Sequence, residues 1–190
     1  MLHYWEMCDD FIALMYLLSQ NNNTVEEKKN KLTALKKQIE DNITKLLNHF
    51  KKYDDYRLKD IYAKIKFVLA KVIKEIYIED NNAFNKVEIF KCLEDTLKFE
   101  KDALNRMKEL KNEDMIKKAR ELLSDIWYNI GDYYEKFDIK LDFCEKAYVE
   151  SVNNNQSNIP ALYSLSNLYM KKANYNEAQR YIDMLLNEDE

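Results

Sequence analysis

Trp127-Tyr128-Asn129-Ile130-Gly131-Asp132-Tyr133-Tyr134 and Leu162-Tyr163-Ser164-Leu165-Ser166-Asn167-Leu168-Tyr169 are two versions of one pattern, set 35 residues apart. Each opens on a bulky residue, places an aliphatic side chain at the fourth position and a small residue at the fifth, and ends on Tyr. On a helix the first, fourth and eighth positions share a face, where they fill the groove against a second helix. The small residue, Gly131 or Ser166, lets the two backbones approach closely. After the second copy, Tyr175 and Ala178 continue the pattern onto a following helix that runs through Leu185. Self-similarity at this period is the mark of stacked helical hairpins.

The remainder of the 190 residues agrees with a chain of helices. Gly131 is the one Gly and Pro160 the one Pro. A phosphate-cradling loop needs several glycines, so Rossmann and P-loop sites are excluded. No Asn-Gly or Asp-Gly hairpin turn is present and no segment alternates with period two, so no sheet is expected. A first helix is expected over residues 1–20, where Leu2, Trp5, Cys8, Ile12, Met15 and Leu18 recur at helical spacing. A second starts at Thr24, which has Glu27 three residues on in capping-box spacing. Its stripe of Val25, Leu32, Leu35, Ile39, Leu46 and Phe50 is interrupted at Asn42 and His49. A third helix runs from about Leu58 to Asp80, and a fourth from about 85 to 110 through Val87, Phe90, Leu93, Leu97, Leu104, Met107 and Leu110. Asn112 is a good N-cap for a fifth through Ile116, Leu123 and Trp127. Two shorter helix pairs finish the chain, with a break at Asn153–Asn158. The expected architecture is all-α, about eight helices in antiparallel hairpins. The expected divisions are an N-terminal arm over 1–55, long degenerate helices over 56–121, and two repeats over 122–190.

The two quoted stretches resemble the tetratricopeptide repeat, W-x2-L-G-x2-Y, with Ile130 in the Leu position. The resemblance implies an α-solenoid that binds other proteins and has no catalytic chemistry. This sequence departs from the pattern after Trp127, where strict counting puts Phe143 in the place of a small Ala and Ala147 fits only with a shortened loop. The resemblance assigns Tyr134, Tyr169 and Tyr175 to the core. More narrowly, the order of a degenerate pair, a long helix and two repeats resembles one stretch of the large tetratricopeptide subunit of intraflagellar transport complex A. That likeness implies a short relative or fragment of a ciliary scaffold.

Charge and composition narrow the partner class. The formal charge is −4 and the pI near 5.4, which gives no push toward nucleic acid or an anionic membrane. The longest clean apolar run, Phe11–Leu18, is too short to span a bilayer, and no secretory leader is expected. Three Cys without a CxxC, at 8, 92 and 144, suit reduced thiols in the cytoplasm. His3 and His49 stand apart from one another and from any Cys at ligand spacing, so neither a metal nor a cofactor is expected. The paired carboxylates Asp9-Asp10, Glu26-Glu27 and Asp54-Asp55 sit on different helix faces and read as solvated charge. Lys111, Lys117, Lys118 and Arg120 are diluted by Glu109, Glu113, Asp114 and Glu121.

The aromatic-rich last third offers the candidate site. Tyr128 and Tyr163 lie just past the first core position, and with Asn129 and Asn167 they are placed either to face a groove that grips a peptide or helix, or to pack on adjacent helices. Residues 122–134 and 159–170 contain no Lys or Arg, which argues against clamping a terminal carboxylate. Tyr181, Met184 and Leu185 are expected to form a partly open apolar end, a contact surface for another chain or for a second copy. The expectation is a non-enzymatic interaction scaffold. The alternatives are a self-associating helical bundle and, least favoured, an enzyme regulator.

Overall fold

A computed structural model of the chain describes residues 24–50, 55–80, 83–137 and 141–187. Among these residues there are seven α-helices and no strand. They are α1 (Val25–Phe50), α2 (Tyr56–Asp80), α3 (Ala83–Glu109), α4 (Glu113–Lys136), α5 (Leu141–Asn154), α6 (Ile159–Lys171) and α7 (Tyr175–Asn187). The helix expected over residues 1–20 lies outside the described residues. The chain forms two compact units, Met1–Leu110 and Lys111–Glu190.

In the first unit, α1 starts on the capping box that its sequence specifies. The Thr24 N–H donates to Glu27 Oε2 at 3.0 Å and the Glu27 N–H to Thr24 Oγ1 at 3.2 Å, which satisfies two amides that the helix itself leaves unpaired. Leu32, Leu35, Ile39, Ile43 and Leu46 form its buried stripe, and Ile43 carries the stripe past Asn42. α2 packs on both α1 and α3, so it buries residues around much of its circumference, from Tyr62 and Ala63 to Ile76. α2 and α3 run antiparallel: Tyr62 meets the Phe99 ring at 4.3 Å, and Lys66 pairs with Asp95 at 3.3 Å. The buried face of α3 is Ile89, Cys92, Leu93, Thr96, Glu100, Ala103, Leu104 and Met107. Val87 and Leu110, which the apolar pattern places in the stripe, are exposed. The face instead takes in two polar side chains, of which Thr96 donates to the Cys92 carbonyl at 2.7 Å.

The second unit is built of two hairpins, α4 with α5 and α6 with α7, and α5 also packs against α6. Asn112 caps α4 by accepting the Met115 N–H. The turn before it holds Lys111 at φ 53°, and Ala173 before α7 sits at φ 55°. Both are left-handed positions that usually fall to Gly. Gly131 is used elsewhere: a Cβ on it would lie 2.5 Å from the Tyr148 ring, so this residue must lack a side chain for α4 to meet α5. Ala147 is buried and Phe143 is 46% exposed, so the small contact position on α5 belongs to Ala147. Tyr133 is buried and Tyr134 half-buried, its ring 5.5 Å from that of Phe143. Tyr175 is not core. It opens α7 63% exposed, and the buried face of that helix is carried by Ala178 and Tyr181 instead.

Candidate functional site

Two polar groups tie the helices of the second unit together, one at each end of α4's repeat half. Near its start, the Ser124 hydroxyl donates to the Ser151 carbonyl at 2.8 Å and the Ser151 hydroxyl to the Ser124 carbonyl at 2.7 Å. Asn158 then donates to Ser124 Oγ at 2.8 Å while its Oδ1 accepts the Ala161 N–H and caps α6. All three side chains are buried, and their mutual bonding removes most of the cost of burying them. Near the C-terminal end of α4, Glu135 accepts the Tyr148 hydroxyl at 2.9 Å and Lys171 Nζ at 3.0 Å. Burial first, and then the Glu135 carboxylate it donates to, raise the Tyr148 phenol well above its ordinary value. One helix turn back along α5 from Tyr148, Glu145 accepts from Tyr169 at 2.7 Å and from Lys172. Hydrogen bonds from Lys172 and Tyr169 hold its carboxyl below the usual range.

Between α4 and α6, beside the Glu135–Lys171 bridge, lies a cleft of about 390 Å³ lined by Glu135, Tyr163, Ser164, Asn167, Met170 and Lys171. Tyr163 is 61% exposed and Met170 50% exposed. They stand on the outer side of a helix whose inner side, Leu162, Leu165 and Leu168, is fully packed. The floor is therefore rigid and the rim open. Tyr and Met offer apolar area with little conformational entropy to lose for Tyr and ready repacking for Met.

Of the sequence-derived groove residues, Tyr163 and Asn167 line this cleft. Tyr128 is half-buried with its ring 5.9 Å from Tyr148, so it packs on the adjacent helix. Asn129 turns back and donates to the Asp125 carbonyl at 2.7 Å. Tyr181 is buried at 6% and stacks on Tyr169, with ring centroids 5.7 Å apart. Met184 and Leu185 are partly buried against the same core, and the exposed apolar side chain at that end is Leu186. Glu135, Ser164, Met170 and Lys171 are absent from the sequence reading. Their signal was the stripe itself: Glu135 follows Tyr128, and Met170 follows Tyr163, by seven residues, two helical turns along the same face.

A second cleft, of about 210 Å³, lies between the start of α4 and the end of α5. Lys117 and Arg120 there are matched by Glu113 and Glu121, and Lys118 beside it pairs with Asp114 at 2.8 Å. Cys144 is buried and burial raises its thiol, and Cys92 is pushed up to about 11 by its burial, so neither is a ready nucleophile. Among the described residues no three His, Cys, Asp or Glu side chains are grouped to hold a metal, and no helix is long and apolar enough to cross a membrane.

No known family matches the chain, and no curated protein matches it in sequence. Among solved structures, the DHF79 filament is similar over 96% of this chain and 82% of its own, with a TM-score of 0.53 and 10% identity. A likeness at that identity speaks for the helical fold and nothing beyond it. The crystal structure of MamA covers 90% of this chain and 96% of its own, with a TM-score of 0.35 and 16% identity.

Proposed function

We propose that this chain is a non-enzymatic interaction scaffold that holds a peptide or helix of a partner protein in the cleft between α4 and α6. Residues 122–190 serve as two tetratricopeptide-like repeats in this reading, and a larger assembly of the ciliary-transport kind is the setting their resemblance implies. The observation that carries it is the pairing of an exposed Tyr163 and Met170 with a packed helix behind them. Side chains of that type on a preformed support are the usual anchors of a protein contact. Self-association is the second reading, favoured by the exposed Leu186 near the end of α7.

A photo-crosslinking residue at position 163, compared with one at exposed Gln179 on α7, tests the proposal in cells of the source organism. Adducts of a distinct protein at 163 and not at 179 are expected. Adducts of this chain with itself favour the second reading. The absence of any adduct specific to 163 overturns the cleft as the contact site.

A further inference from the structure

The cleft between α4 and α6 has a charge pattern that selects among partners. Residues 122–135 contain three ionised side chains, Asp125, Asp132 and Glu135, all acidic, and residues 159–170 contain none. Glu135 lines the cleft; Asp132, three residues before it, lies close enough to raise the Tyr148 phenol as well, and Asp125 lies further back on α4, where Asn158 donates to it. Over residues 122–136 and 159–171 the cations are Lys136 and Lys171, each at the last position of its helix. Lys136 folds back onto Asp132 at 2.9 Å and Lys171 onto Glu135 at 3.0 Å. Both lysines are more than half exposed, and Lys171 lines the cleft. Exposed pairs of this kind contribute little and exchange readily.

On this basis, and resting on the binding reading above, we infer that the cleft takes a cationic amphipathic segment of another protein, with an apolar side chain seated on Tyr163 and Met170 and a Lys or Arg placed on Glu135. Lys171 occupies the position of that partner cation in the free chain. Glu135 suits the role because the Tyr148 hydroxyl already fixes one side of its carboxylate, which leaves it oriented when Lys171 moves away. An acidic segment would bring its carboxylates up to Glu135, with Asp132 one turn away, and the cations there, Lys171 and Lys136, are already paired with those two groups. Juxtaposed like charges at an interface are a strong source of rejection.

Selection of a displayed random-peptide library on the immobilised full-length chain, with a parallel counter-screen on Tyr163→Ala, tests the inference. The expected result is enrichment of sequences that combine aromatic or aliphatic residues with Lys or Arg, lost on Tyr163→Ala. Their binding should weaken as salt is raised. A selected peptide should bind Lys171→Ala more tightly by about twofold to fivefold, the worth of one exposed ion pair released to the ligand. Enriched sequences that depend on Tyr163 but are neutral or acidic would overturn the charge preference and leave the cleft as a binding site. A selection with no dependence on Tyr163 would overturn both. Weaker binding to Lys171→Ala, with an unchanged circular dichroism spectrum, would show that Lys171 is a ligand contact and sink the displacement idea.

Discussion

The two units are both helical, yet they hold together by different means. Among the described residues the first has three helices of 26, 25 and 27 residues, with mostly apolar side chains buried along their length. The second has one long helix followed by three of 14, 13 and 13 residues. Helices that short are marginal alone and depend on their neighbours. The second unit supplies that dependence through specific contacts: Gly131 under Tyr148, the Ser124–Ser151–Asn158 group, and the Glu135 and Glu145 bridges. The first unit tolerates a fully buried carboxyl side chain, Glu100, with no hydrogen-bond partner among the described residues for either oxygen. A broad apolar seam can absorb a local misfit, whereas a unit built from short pieces relies on each joint. The binding role proposed for the cleft asks for Tyr163 and Met170 in fixed positions, which the second kind of frame supplies.

The largest expected effect concerns Glu100. Burial first, then Asp60 nearby, raise its carboxyl from 4.5 to about 8, with Lys64 acting in the opposite sense. Between these values the native state keeps a proton that the unfolded chain has released. The Glu100 contribution to stability is therefore most favourable below about pH 4.5, falls as pH rises toward 8, and levels off above that. The loss is on the order of 4–5 kcal/mol across the window. Glu100→Gln cannot ionise, so its advantage over wild type in urea unfolding should grow over that range, with amide exchange in α3 as the local readout. A stability difference independent of pH would mean that the first unit does not carry this misfit.

Next in size is Gly131→Leu, which forces a side chain into the ring of a Tyr148 that is packed and held by Glu135. The expected cost is about 3 kcal/mol, seen as faster exchange in α4 and α5 and a lower melting temperature. An exposed helical Gly would instead gain stability on this change, so an unchanged or raised melting temperature would break the account of the second unit as a set of tight joints. Smaller again is Asn158→Ala, which removes the α6 cap and the bond to Ser124 together. A loss of about 2 kcal/mol is expected, confined to α4–α7 by hydrogen exchange. Protection lost equally in α1–α3 would show that the two units do not differ as argued.

The sequence reveals most where one residue type satisfies a local demand. Thr24 with Glu27, and Asn112 as a cap, can be read directly because capping chemistry involves neighbours within a turn. Gly131 is legible because nothing else explains a Gly within a helical stripe. The close approach of α4 and α5 follows from it. Glu100 is illegible because a Glu on a helix reads as solvated, and only the packing of a second long helix against it buries the carboxyl. Ala147 against Phe143 turns on the length of a connection, which pattern counting leaves undetermined. In the cleft, Tyr163 and Asn167 followed from the stripe, but Tyr128 and Tyr163 occupy the same register and differ in surroundings. Tyr128 has Tyr148 beside it, while the corresponding side of Tyr163 is open. Glu135 and Lys171 come together across 36 residues, a pairing with no local signal.

The chain's one Gly lies between two helices, and both left-handed turns are formed by other residues, Lys111 and Ala173. Each bears a backbone penalty of about 1 kcal/mol that Gly would not incur. Lys111→Gly and Ala173→Gly are thus places where an engineer gains thermal tolerance without touching the cleft, offset in part by the greater freedom of Gly in the unfolded chain. These two turns hold a small reserve of stability that one substitution at each could release.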